Sequence, residues 1–183
     1  TTASTSITVP VRAVMEISRL LSDNEDPVKL NLHKNFLMVR VDSTTITTRL
    51  IDGTFVNYRQ IIPQHFDTQV YIPKGLFEDA IDRAVLMARS EKNNNLVRFE
   101  ISQTNMTVSS RSEAGNVEEN LPVNTDGADL SISFNARYFT EFLHCMSCET
   151  VVLNLTNSTS VCVVSPVGGL EDYIYLVLPV RSI

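Results

Sequence analysis

The chain says nearly the same thing three times, and that repetition limits its fold more than any other feature. Three segments open alike: Ser6-Ile-Thr-Val-Pro10, Gln69-Val-Tyr-Ile-Pro73 and Ser131-Ile-Ser-Phe-Asn135. Each is alternating or β-branched and ends at Pro or Asn, the pattern of a strand that stops where a helix starts. Apolar residues at helical spacing follow each opening. They are Val14, Ile17 and Leu21 in the first copy; Phe77, Ala80, Ala84 and Met87 in the second; and Ala136, Phe139, Leu143 and Met146 in the third. The expected helices cover 11–21, 74–89 and 135–146. Three strand-like runs follow each helix: 28–32, 36–41 and 45–51; then 96–101, 106–110 and 117–123; then 150–155, 160–164 and 173–180. Turn-forming residues at His33-Lys34-Asn35, Gln103-Thr104-Asn105 and Thr156-Asn157-Ser158 separate the first two strands of each set. The unit is strand, helix and three strands, about 60 residues long. Antiparallel hairpins with one helix per unit predict an α+β fold, with the helices gathered on one face of a sheet. Two units back to back close a domain of about 120 residues, so three units make one and a half domains.

Composition narrows the class. With 183 residues, 43% hydrophobic and 20% charged, the chain can bury a core and is not a disordered segment. Its longest uncharged apolar runs, such as 174–180, fall far short of the roughly 20 residues a membrane helix needs. Three cysteines, Cys145, Cys148 and Cys162, form no closed disulfide framework and suggest a reducing, cytoplasmic setting. The opening TTASTS has no signal-peptide character and no methionine, and reads as a cut in a linker of a longer protein.

The net charge of −6 argues at first against a nucleic-acid partner. Divided by element, the charge says something else. The expected helices hold Lys or Arg at 12, 19, 74, 83, 89 and 137 against acids at 16, 78, 79, 82 and 141, so the acidity lies outside them. Superposed units align Arg12, Glu16 and Arg19 with Arg137, Glu141 and His144, on the helix face opposite the apolar stripe. Two readings fit: solvated faces with i,i+4 pairs, or a helical surface that meets phosphates without reading bases.

Catalytic chemistry is hard to find. Cys145-Met-Ser-Cys148 is a lone CxxC at the end of an expected helix, where packing is the simpler role. His33, His65 and His144 are scattered, and Gly168-Gly169 sits in a hairpin-like connection. No phosphate loop, nucleophile elbow or triad spacing can be picked out, so neither an enzyme nor a cofactor or metal is expected. Asn105-Met-Thr, Asn154-Leu-Thr and Asn157-Ser-Thr match the glycosylation pattern by chance.

One segment carries a specific resemblance. Leu50-Ile-Asp-Gly-Thr-Phe-Val-Asn-Tyr-Arg-Gln-Ile-Ile-Pro63 resembles the signature of the bacterial DNA polymerase III β subunit family, the sliding clamps. Tyr175-Leu-Val-Leu-Pro-Val-Arg181 resembles that family's closing run, and Ala80-Ile-Asp-Arg-Ala-Val-Leu-Met-Ala-Arg89 and Ser133-Phe-Asn-Ala-Arg-Tyr138 match in place and order. The resemblance spans the chain and implies the second half of a middle clamp domain at 1–65 and a complete third domain at 66–183. It implies a non-catalytic replication clamp, a head-to-tail ring of two subunits with helices lining the hole. The partners it implies are double-stranded DNA, polymerase III subunits, the clamp loader and other clamp-binding proteins. Arg12, Arg19, Lys74, Arg83 and Arg137 become the residues expected to face DNA. A client-peptide groove between middle and third domains maps to Val56, Gln60, Ile61, Val161, Leu176, Val177, Leu178, Pro179, Val180 and Arg181. The subunit contact maps to Leu86, Met87 and the strand Leu96 to Ile101. Two positions depart from the family pattern, Val56 for proline and Asn57 for aspartate, and Arg181-Ser-Ile183 runs one residue past the family's common ending. The alternative role is a stand-alone peptide-binding module of the same fold that does not encircle DNA.

Overall fold

The computed structural model describes residues 5–21, 27–88, 95–113, 115–168 and 174–181. Arg89, Gly169, Tyr173 and residues 1–4 of the opening, all part of the expectations above, lie outside the described residues. The chain divides between Asn57 and Tyr58 into two units.

The first unit holds helix α1 (Val11–Leu20) and a three-stranded antiparallel sheet, β1 (Lys29–His33), β2 (Phe36–Val41) and β3 (Thr44–Arg49). Pro10 sets the start of α1, and its carbonyl accepts from the Ala13 and Val14 amides. Lys34, with φ of 48°, makes the tight turn between β1 and β2. Leu37 and Val39 are buried on one face of β2, and β1 places Leu32 and Leu30 directly opposite them. Leu30 is nevertheless 66% exposed, and α1 buries no residue at all.

Helix α2 (Lys74–Ala88) opens the packed layer of the second unit, following β4 (Thr68–Pro73). Its buried residues, Phe77, Ala80, Ile81, Ala84, Val85 and Ala88, recur at helical spacing. Then come β5 (Leu96–Ile101), β6 (Asn105–Ser112), β7 (Gly115–Pro122), β8 (Asn124–Gly127), β9 (Leu130–Asn135), α3 (Ala136–Leu143), β10 (Thr150–Leu155), β11 (Cys162–Val167) and β12 (Tyr175–Val177). The sheets run β12-β11-β10-β4-β8 and β7-β6-β5-β9.

The two repeats interlock. The opening strand of the second repeat, β4, pairs antiparallel with β10 of the third. The opening strand of the third, β9, pairs antiparallel with β5 of the second. Each repeat therefore completes the other's sheet. Between sheets and helices, Phe77, Phe99, Phe134 and Phe139 form a fully buried quartet with ring centroids 5.1–5.7 Å apart. Edge-to-face rings at such distances add to the area they bury.

Four expectations shift. Among the described residues Ser6–Pro10 joins no sheet; the Thr8 carbonyl accepts from the Ile51 amide at 2.9 Å. In the second unit, by contrast, each opening strand pairs with the sister repeat's sheet. Helix α3 stops at Leu143 rather than 146, so the CxxC lies in the turn after it. The closing strand is Tyr175–Val177, shorter than 173–180, because Pro179 cannot donate to a ladder. An unforeseen strand, β8, borders β4. There Gly127 has φ of 126°, and a Cβ would fall 2.1 Å from the Asp67 carbonyl oxygen.

Candidate functional site

Helices α2 and α3 pack side by side in the second unit. Asn135 caps α3, its Oδ1 accepting from the Arg137 amide at 3.0 Å, and this leaves the Arg137 side chain exposed at the first turn. Of the three Lys and Arg side chains on these two helices, two are already paired. Lys74 Nζ donates to Glu78 Oε2 at 2.6 Å, and His144 Nε2 lies 3.5 Å from both Glu78 and Asp82. Arg83 reaches across to β7, where it grips both carboxylate oxygens of Glu119, Nη2 to Oε2 at 2.7 Å. That hydrogen bond raises the Arg83 pKa above its ordinary value and lowers that of Glu119. In the first unit Arg19 pairs with Glu16 at 2.6 Å. Arg12 and Arg137 make no ion pair with another described residue. Of the five cations expected to face phosphate, these two keep their charge least compensated.

The closing segment builds a second surface. Tyr175 stacks on Phe142 of α3 with centroids 4.7 Å apart, and burial raises its pKa, with Glu141 adding to the rise. Farther on, the Val180 amide donates to the Ser133 carbonyl at 2.8 Å. The segment thus runs beside α3, from the helix's end back to the strand that leads into it. Along it Leu178 is 68% exposed and Val180 36%, while Leu176 and Pro179 are half-buried and Arg181 is exposed. Val177, expected in the groove, is a core residue instead, at 1% exposure: its register partner is Cys162, and both belong to the packed core. Val161 comes one residue before Cys162, so alternation turns it to the opposite side, that of Val163 and its partner Leu176, where it is buried at 7% outside the core cluster. Val177 backs the surface, while Val161 lies on its side.

Gln60 ends the short 3-10 turn Tyr58–Gln60, after which Ile61 is 44% exposed. Val56, in the first unit, is exposed as well. The sequence reading missed Tyr138, half-exposed on the turn of α3 before Phe142. The signal was an aromatic side chain lying off the Ala136, Phe139 and Leu143 stripe.

The residues expected at the subunit contact differ in exposure and pairing. Leu86 is 63% exposed and Met87 half-buried at the end of α2. Strand β5, Leu96–Ile101, is hydrogen-bonded to β6 on one side and β9 on the other, so it offers no free backbone edge. The sheet edge near α2 is β7, tied to that helix by Arg83 and Glu119.

Among the described residues, no three His, Cys, Asp or Glu side chains gather to hold a metal ion. Cys145 is exposed, Cys148 half-buried, and Cys162 buried, which pushes its thiol pKa far up. No helix of the described residues is long and apolar enough to cross a membrane.

Repeated strand-helix-three-strand units that exchange their opening strands, with helices layered over antiparallel sheets, define the clamp fold. The sequence agrees: residues 1–57 match the central domain of the DNA polymerase III beta subunit and residues 59–181 match its C-terminal domain, so the chain belongs to that family. The beta sliding clamp of Staphylococcus aureus is 28% identical over 179 residues, 97% of this chain and 47% of that protein. That of Salmonella typhimurium is also 28% identical, over 97% of this chain and 48% of that protein. The crystal structure of the DNA polymerase beta subunit of Streptococcus pyogenes superposes with a TM-score of 0.86 at 27% identity, covering 100% of this chain and 49% of that one. The sliding clamp of Bacillus subtilis gives 0.84 at 27% identity, covering 97% and 47%. The chain spans about half the length of the curated relatives it matches.

Proposed function

We propose that this chain forms part of a replication processivity clamp, which encircles duplex DNA without reading its sequence and tethers polymerase III subunits, the clamp loader and other clients. The role is cytoplasmic and non-catalytic; nucleotide transfer belongs to the partner subunits. The observation that carries this reading is the family match across both units, 1–57 and 59–181. The helices support it, because Arg12 of α1 and Arg137 of α3 stand at equivalent positions and make no ion pair with another described residue. Phosphate contacts of this kind hold a duplex without base readout.

The first unit serves as the second half of a middle domain, and the second as a complete third domain. Exposed Leu30 and Leu32, the fully exposed strand β1 and the unburied stripe of α1 support that division. By the exchange seen between the other two repeats, a sister repeat would lay its opening strand along β1. The client surface of the second unit is Leu176, Leu178, Pro179, Val180 and Arg181 with Val161, Ile61, Gln60 and Tyr138; in the first unit, exposed Val56 is a client contact by itself. Leu86, Met87 and the free edge of β7 are the surface offered to a second subunit in a head-to-tail dimer.

Charge reversal tests the DNA reading. In a ring-forming protein that includes this chain, Arg12→Glu with Arg137→Glu should shorten retention on closed circular DNA while client-peptide affinity stays unchanged. Unchanged retention would refute the assignment, and peptide binding without any retention would favour a stand-alone peptide-binding module.

A further inference from the structure

A shallow depression of about 470 Å³ lies on the outer face of the β7-β6-β5-β9 sheet, beside the end of the client surface. Its charged lining is Arg98 and Arg181, and four hydroxyl residues join them: Ser131, Ser133, Ser158 and Thr159. No acidic residue is among its described lining. The sheet register explains the gathering. Val97, Phe99 and Ile101 point into the core, so Arg98 faces outward, directly opposite Ser133 of β9. Arg98 Nε donates to Ser131 Oγ at 3.0 Å and lies 3.1 Å from Glu100 Oε1, which aligns the guanidinium along the sheet. Both contacts use Nε, and a guanidinium carries four further N–H donors on its terminal nitrogens. On the far side, the Asn157 side chain accepts from the Thr159 and Ser160 amides and fixes the turn that carries Ser158 and Thr159.

The depression adjoins the client surface through Val180, which lines the one and belongs to the other, and Arg181 follows it directly. Both charged groups of the described lining are guanidinium groups, in a chain of net charge −6. Planar guanidinium groups match carboxylates in two-pronged geometry, and the hydroxyls can donate to the remaining lone pairs.

We infer that the Arg98–Arg181 depression is an acidic-flank subsite: it selects client peptides carrying Asp or Glu just beyond the apolar anchors held near Leu178 and Val180. The inference rests on the reading of Leu178–Val180 as the peptide-holding surface. The subsite adds specificity and salt-sensitive association, because exposed charge pairs contribute modestly to affinity itself.

Fluorescence anisotropy on the 183-residue chain tests it with fluorescein-labelled Gly-Ser-Leu-Phe-Gly-Asp-Asp, its Asn-Asn counterpart, and Asp-Asp-Gly-Leu-Phe-Gly-Ser. One of the two acidic peptides should bind about three- to tenfold tighter than the Asn-Asn peptide at roughly 50 mM salt, and less than about twofold tighter at roughly 500 mM. Arg98→Gln should abolish that preference and leave the Asn-Asn peptide's affinity unchanged. Arg181→Gln, outside every sheet, should weaken the preference without touching the fold. Equal affinities for all three peptides, or a preference that survives both variants, would overturn the subsite. If Leu178→Arg leaves the Asn-Asn peptide's affinity unchanged, the peptide-holding surface is wrong, while the Arg98 comparison still decides the acidic preference. Binding of none of the three peptides overturns both.

Discussion

Leu178 offers the cleanest separation of function from stability. It is 68% exposed, while its neighbour Val177 is 1% exposed. Fully burying a leucine side chain is worth about 1.5–3 kcal/mol, so the surface Leu178 still has to lose corresponds to about 1–2 kcal/mol. Leu178→Ala should therefore weaken an anchored peptide about five- to thirtyfold. Leu178→Arg should weaken it further, because a peptide seated there would have to cover a charge. Neither change touches the core, so urea unfolding followed by far-UV circular dichroism should move by no more than about 0.5 kcal/mol. Val177→Ala should behave the opposite way. It removes two methyl groups from the packed face of β12 and should cost about 1–3 kcal/mol of stability, with peptide affinity unchanged where the chain stays folded. Anisotropy titration with a fluorescein-labelled Leu-Phe peptide provides the affinity. The reasoning fails if Leu178→Ala destabilises the chain as much as Val177→Ala does, or if the peptide binds both Leu178 variants as it binds the wild type.

Two further predictions concern what holds the second unit together. Phe139→Ala removes the ring that contacts Phe77, Phe99 and Phe134, and should cost about 3–5 kcal/mol in urea unfolding; a loss under about 1.5 kcal/mol would mean that the quartet repacks around the hole. Glu119 is held below its ordinary pKa of 4.5 mainly by the Arg83 hydrogen bond, so its contribution is present above that value and lost as pH falls through the lowered one. Thermal melts of wild type and Glu119→Gln should differ at pH 7 and converge in acid, and a gap that persists at the lowest pH would exclude the carboxylate as its source.

The repeat, the three helices and nearly all the strands were legible because each rests on local periodicity. Phe77, Ala80 and Ala84 mark a helix face wherever the helix goes, and Leu96–Ile101 alternates whatever its neighbours are. The partners of those strands were not legible. Nothing local in Gln69–Pro73 says that it pairs with Thr150–Leu155, far along the chain, and the exchange of opening strands emerges only when both sheets form. The same gap hid which way the residues of the closing segment face. Leu176–Val180 is apolar throughout, so the pattern alone left every member a surface candidate. The register of Cys162 with Val177 sends that residue inward and leaves Leu178, beyond the ladder, outside. Strand β5, named for the subunit contact by the family resemblance, likewise shows only in three dimensions that both of its backbone edges are paired.

Charge shows how far counting residues can go. Helix totals separated an almost balanced layer from an acidic remainder, and the structure shows how that balance is made. Lys74 is held by Glu78, Arg83 by Glu119 and Arg19 by Glu16, so three of the five candidate cations are already committed. Each phosphate neutralised by a free cation strengthens binding and steepens its salt dependence. A surface of fully available arginines would hold a duplex in place, and an unpaired acidic one would expel it. Under the proposed role, pairing most cations and leaving Arg12 and Arg137 to meet the backbone keeps the contact weak. A topological ring can tolerate a weak contact, because enclosure rather than affinity keeps the duplex inside.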